Sequence, residues 1–179
     1  MKKLLLNCFS TCVFLGAFSG VAHAGEAKLT WGNLDNFSDI SPGYEMKDAF
    51  RERLMKEFGL VFSNFAKKLP DGYQLDVAVS DVDLAGDVRP NMSSANQIRF
   101  MTSIYWPRMK FHYELRNEKN EVVSVGDEEL RDMDYLGRVR IPSGHTSFEY
   151  EEKMISDWFR KQTNAGVFPS KDLKAVAAK

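Results

Sequence analysis

The run Asp81-Val82-Asp83-Leu84-Ala85-Gly86-Asp87 is the part of the chain whose residue types and spacing most suggest chemistry. Asp81, Asp83 and Asp87 offer hard oxygen ligands of the kind that hold calcium or magnesium. An EF-hand loop starting at Asp81 would want an acid or amide where Ala85 stands and a glutamate where Met92 stands, so the spacing argues against that motif. The residues before the run supply a second account. Leu75, Val77 and Val79 place apolar side chains at odd positions, whereas Val82 and Leu84 place them at even ones. An unbroken strand would turn Asp81 and Asp83 into the core, which is costly for unpaired carboxylates. Either the strand bulges near Ser80 and changes phase, with the acids paired to arginines such as Arg99 or Arg108, or the acids meet a metal at the end of the sheet.

Other candidates are weaker. Asp127, Glu128, Glu129, Asp132 and Asp134 gather after a hairpin, and paired carboxylates are the equipment of glycoside hydrolysis. Acids on the wet side of a strand are more simply solvated. His112 lies between Lys110 and Glu114 on such a face. His145 and Ser147 supply two members of a nucleophile-base pair, but no G-x-S-x-G surrounds the serine and helix capping accounts for the Ser/Thr enrichment. HExxH and phosphate-cradling glycine loops are absent. Tyr105-Trp106-Pro107-Arg108 sets two large rings beside a guanidinium, the residue types that dominate binding hot spots, or else forms a corner packed over a helix.

These residues need elements to position them. Residues 27–31 read as a first strand closed by Gly32, and Ser41-Pro42 as a helix start. Met46, Phe50, Leu54, Phe58, Phe62, Phe65 and Leu69 recur every three or four residues and predict a helix over 44–69, with Gly59 marking close packing or a bend. Pro70-Asp71-Gly72 is a turn, and alternation from Tyr73 predicts a second strand. Residues 89–96 read as a loop and 97–105 as a strand. Residues 108–116 alternate without exception, and 117–120 turn the chain into a returning strand with a bulge at Gly126. Thr146 and Glu149 fit a capping box before a second helix carrying Tyr150, Met154, Ile155, Trp158 and Phe159. The order predicts a single α+β domain over 25–165, a mostly antiparallel sheet of four to five strands with two helices on one face. Residues 166–179 are expected to be a mobile tail.

The first 24 residues form a secretory signal peptide: Lys2 and Lys3, an apolar stretch, then Ala22-His23-Ala24 before Gly25. An uncleaved anchor is the alternative, but Asn7, Ser10 and Thr11 interrupt the stretch and its end is rich in Gly, Ser and Ala. Cys8 and Cys12, the two cysteines of the chain, both lie in this leader and neither follows the small residues that lipid attachment would need. A mature chain without cysteine has no thiol chemistry. A remainder of about 155 residues buries roughly 68–70% of its unfolded surface and needs no metal or disulfide to fold. The whole chain has a net charge of −1, and loss of Lys2 and Lys3 makes it more acidic. That balance excludes a typical nucleic-acid binder.

Several stretches are similar to a family of exported proteobacterial proteins known as a domain of unknown function. They are Asn36-Phe37-Ser38-Asp39-Ile40, Leu69-Pro70-Asp71-Gly72, Asp81 to Gly86, Tyr105 to Arg108, Leu130-Arg131-Asp132-Met133, and the helix from Tyr150 to Phe159. The resemblance runs from about Leu29 to Phe159 and implies one compact domain in a Gram-negative envelope, with no activity to carry over.

The sequence therefore predicts a periplasmic, non-enzymatic binding or accessory protein. It assigns no catalytic residue and no cofactor, and expects no membrane span once the leader is removed. Asp81, Asp83, Asp87, Tyr105, Trp106 and Arg108 are the candidate binding residues, and the three aspartates are weak metal candidates. Another envelope protein is the candidate partner. The alternative is a metal-dependent or carboxylate-based hydrolase centred on residues 81–87.

Overall fold

The computed structural model describes residues 24–90, 97–137 and 147–171. Strand β1 is Glu26–Trp31, helix α1 Lys47–Ala66, β2 Gln74–Asp83, β3 Asp87–Pro90, β4 Gln97–Phe100, β5 Arg108–Arg116, β6 Val122–Arg131 and helix α2 Glu149–Asn164. The main sheet has the order β1-β2-β5-β6, and β3 and β4 pair in a separate two-stranded ribbon. β1 runs parallel to β2, with α1 as the crossover between them, and the other pairings are antiparallel. The result is a single α+β domain.

Alternation decides which face of the sheet is dry. In β5, Met109, Phe111, Tyr113 and Leu115 are buried, while Arg108, Lys110 and His112 are exposed. On β2 the inward set is Leu75, Val77 and Val79, and then Val82, because the register shifts between Val79 and Asp81. The bulge expected at Ser80 is therefore present. Both helices cover the inner face. α1 contributes Phe50, Leu54, Phe58, Phe62 and Phe65, all buried. From α2, Trp158 meets Phe111 at 5.0 Å and Tyr113 at 5.6 Å between ring centroids, both edge to face, a geometry that aromatic pairs favour.

Several boundaries depart from the sequence reading. α1 starts at Lys47 after Met46, which gives no side-chain cap, and Pro42 instead sits in a turn closed by Glu45 N–H to Pro42 O. Arg89 and Pro90, expected in a loop, belong to β3. β4 ends at Phe100 rather than 105, because the chain turns where Tyr105 N–H meets Thr102 O, and Ile104 is left 66% exposed. The irregularity in β6 falls opposite the Leu115–Arg116 step, not at Gly126. Gly126 instead faces Tyr113, whose ring would lie 3.0 Å from an added Cβ. Phe148 stands at the N-cap position of α2 without a side-chain cap bond, so Glu149 is the first helical residue; Thr146, the other half of the expected capping box, lies outside the described residues.

The domain also reaches beyond 165. Phe168 is fully buried against Tyr113, Trp158 and Phe159, and Lys171 N–H donates to Lys68 O at 3.0 Å. Phe168 and Lys171 thus dock the segment after α2 on the domain, and 172–179 lie outside the described residues, as do 1–23.

Two substitutions check this packing. An added Cβ at Gly59 meets nothing within 4 Å, and α1 runs unbroken through it. Gly59→Ala should therefore stabilise the protein by about 1 kcal/mol in urea unfolding. Phe168→Ala should cost about 3–5 kcal/mol with an unchanged denaturant slope. A neutral result at Phe168 would remove the docked segment from the core.

Candidate functional site

The residues singled out in the sequence fall into separate pairs. Asp81 accepts the Ser38 N–H at 2.7 Å and the Ser38 hydroxyl at 2.8 Å. Asp83 accepts two bonds from Arg108, from Nε at 3.0 Å and from Nη2. Asp87 accepts from Arg89 at 2.6 Å, and the same guanidinium donates to the Tyr105 hydroxyl at 3.1 Å and lies over its ring. Tyr105 therefore joins Arg89 rather than Arg108. Trp106 is half-buried between them in sequence. The bulge turns Asp81 and Asp83 outward, where their register partners are Lys110 and Arg108.

The second acidic group is likewise engaged. Asp127 meets His112 at 2.9 Å, Glu128 accepts from Gln162 at 2.8 Å, and Glu129 accepts from Arg131 at 2.6 Å. Ser147 donates its N–H to Glu57 at 2.7 Å, and His145 lies outside the described residues. Among the described residues, no group of three or more His, Asp or Glu side chains is placed to hold a metal ion.

A different place gathers unpaired functionality. The turn at 41–45, the start of α1, the β2–β3 corner, β4 and the start of α2 enclose a cleft of about 370 Å³. Its walls are largely apolar, from Pro42, Phe50, Leu84, Ile98, Met101 and Phe148. Tyr44 stands at its mouth, 75% exposed. Tyr150 lines it too, held edge-on at 4.8 Å by Tyr135, whose hydroxyl donates to Thr102 O at 2.8 Å.

Glu151 lines this cleft from the third position of α2 and is only 3% exposed. Its Oε1 accepts the Ala85 N–H at 2.7 Å. Burial pushes its carboxyl above the ordinary value. The backbone hydrogen bonds from Ala85 and from its own N–H, and the more distant charge of Arg99, offset only part of that. Among the described residues its side chain has no ion-pair partner.

Arg99, on β4, ties the cleft together. Its Nη1 donates to Asp39 at 2.8 Å, to Gly86 O at 3.2 Å and to Ala85 O at 3.3 Å, and its Nη2 to Ser41 O at 2.9 Å. Burial raises the Asp39 carboxyl, but the hydrogen bonds from Arg99 and Ser41 outweigh it and hold the group below its usual range. Gly86 is required at this corner: its φ is +82°, and a Cβ would come within 2.5 Å of Phe100 O.

Among known proteins, a family model described as a protein of unknown function, DUF3016, matches residues 25–161. The chain belongs to the DUF3016 family. No curated protein and no solved structure matches it. The DUF3016 match takes in every residue of the cleft named above, from Asp39 to Glu151.

Sequence reasoning named Arg99 only as a partner for Asp81 or Asp83, and passed over Glu151. A signal for Glu151 exists within this DUF3016 chain: it lies four residues before Ile155 and three before Met154, so an acid occupies the apolar stripe of α2.

The two carboxyls predict opposite pH behaviour. Glu151 holds its proton to higher pH when folded, so stability is lost as pH rises from the ordinary value of 4.5 through the raised one. Glu151→Gln keeps an acceptor for Ala85 and cannot ionise. Its stability relative to wild type should climb across that window and level off above it. Asp39 stabilises above its ordinary 3.8, and that contribution is lost as pH falls through its depressed value. Urea unfolding of wild type and Glu151→Gln between about pH 4 and 8 checks the first claim. Parallel stability curves would sink it. Removing Arg99 as Arg99→Met should cost about 3 kcal/mol, because it strands a carboxylate and three carbonyls.

Proposed function

We propose that the protein is an exported, non-enzymatic binding protein of the cell envelope, and that the cleft lined by Glu151 is its ligand site. The observation that carries this reading is the cleft itself: about 370 Å³, mostly apolar, with one buried carboxyl that has no counter-charge among the described residues. Pockets of this size with few polar groups are the usual form of a small-molecule or side-chain receptor. The exposed ring of Tyr44 and thioether of Met101 that line it suit recognition of an apolar partner.

The second carboxyl of the cleft, Glu45, is bound by Arg53 at 2.6 Å, so the two acids do not form a free pair of the kind glycoside hydrolysis uses. The alternative of a hydrolase centred on residues 81–87 would have to release Asp81, Asp83 and Asp87 from Ser38, Arg108 and Arg89. Export rests on the pattern of residues 1–24. Among the described residues, no helix is long and apolar enough to cross a membrane.

A photocrosslinking residue introduced at Tyr44 in cells should yield a discrete adduct from the periplasmic fraction, and one at Lys28 on the outer sheet face should not. Mass spectrometry of the same fraction should find the chain beginning at Gly25. Equal adducts from both positions, or none from Tyr44, would count against the cleft. A chain retaining residues 1–24 would count against export.

A further inference from the structure

We propose that the ligand of this cleft carries a protonated amine on an apolar body of about the size of an aromatic ring, and that the ammonium pairs with the Glu151 carboxylate. The inference rests on the cleft being the ligand site and adds the chemical class of what enters it.

Charge accounting in the cleft points this way. Among the described residues Arg53 and Arg99 line it, and both are committed. Arg53 binds Glu45 at 2.6 Å and Glu57 at 3.4 Å, and its guanidinium lies 5.2 Å from the ring centres of both Phe50 and Phe148. Arg99 is spent on Asp39 and on three backbone carbonyls. Among the described residues an anionic ligand would therefore meet no free cation, and its charge would be desolvated beside the Glu151 carboxyl. Glu151 stands in the opposite position. It is an acid on an apolar wall whose hydrogen bond comes from a neutral N–H, with no cation in pairing distance among the described residues. An incoming ammonium supplies the counter-charge that the described residues do not place beside Glu151, whose burial strengthens the pairing. Tyr44, Phe50, Phe148 and Tyr150 bring four aromatic rings to the same cleft, and ring faces attract organic cations. The volume suits one ring with a short side chain.

The groups acting on Glu151 set the pH dependence. Burial and the nearby charge of Asp83 favour its neutral form, while the backbone N–H groups of Ala85 and of Glu151 itself and the charge of Arg99 favour the carboxylate. Glu45 and Arg53 across the cleft neutralise each other. Amine binding draws Glu151 into its ionised form, so below its folded pKa the carboxyl proton leaves to solvent as the amine binds. Affinity should rise with pH through that value and then level off.

Isothermal titration of the full chain with 2-phenylethylamine, 2-phenylethanol and 3-phenylpropionate decides the matter. The amine should bind at least about tenfold more tightly than the alcohol, and the carboxylate most weakly. At acidic pH the amine's heat should vary with buffer ionisation enthalpy, reporting proton release. Glu151→Gln should lose the preference for the amine while unfolding at the same temperature as wild type or higher. Equal binding of amine and alcohol, or tightest binding of the carboxylate, overturns the ligand class and leaves the cleft standing. If none of the three binds while Tyr44 still crosslinks in cells, the ligand class again fails. If none binds and Tyr44 gives no adduct, the cleft reading falls with it. The charge series in wild type alone is decisive should the variant fail to fold.

Discussion

One extra residue in β2 organises the rest of this structure. Side chains along a strand alternate with a period of two, so a run that stayed in step past Val79 would send Asp81 and Asp83 into the core. The shift at Ser80 returns Val82 to the interior and leaves both acids on the outer face beside Lys110 and Arg108. The same shift sets where the strand ends. Asp39 N–H donates to Val82 O and Leu84 N–H to Asp39 O, so the segment before α1 is stitched along the displaced end of β2. Leu84 and Ala85 are thereby delivered to the cleft, with the Ala85 N–H aimed at Glu151. The bulge that disposes of two acids on one side of the sheet thus provides the anchor for a third on the other.

Charges are handled differently on the two faces. Outside, Arg108 with Asp83, His112 with Asp127 and Arg116 with Glu114 form cross-strand or neighbouring pairs open to solvent, each worth little to stability. Inside the cleft, Arg99 does structural work that no outer pair does. It gathers carbonyls from the 41–45 turn and the β2–β3 corner, groups that the sheet ladders leave without partners, and it holds Asp39 ionised among them. A planar guanidinium with several fixed donors suits this role, and a lysine would not span the same set.

The sequence discloses those features that follow from a local period. The α1 stripe, the strict alternation of β5 and the change of parity at Ser80 are all legible, because each records which side of an element faces the core. β4 shows the limit of that logic. Alternation continues to Tyr105, yet the strand stops at Phe100, because Gly86 N–H bonds Tyr105 O and the chain folds back over the corner. The start of α1 is misread for a related reason: Ser41-Pro42 has the composition of a cap, but Arg99 binds the Ser41 carbonyl and both residues line the cleft. Phe168 looks like part of a polar tail, and only the gap beside Tyr113 and Trp158 makes it core. The cleft is least legible of all. Its defining contact joins residues 66 apart in the chain, and no periodicity encodes that.

What does need explanation at position 151 is the charge. The Ala85 N–H requires an acceptor, since an unpaired buried donor costs about 1–3 kcal/mol. Leucine or methionine would pack against the apolar wall but leave that donor stranded. Glutamine would accept the same bond at similar volume and carry no ionisable group. Glutamate differs from it chiefly in the ability to become an anion, an ability that burial works against. A carboxyl that merely satisfied Ala85 would thus be the inferior choice of the two. Its advantage appears only when a cation enters the cleft, where an amide offers a dipole and the carboxylate offers a full counter-charge.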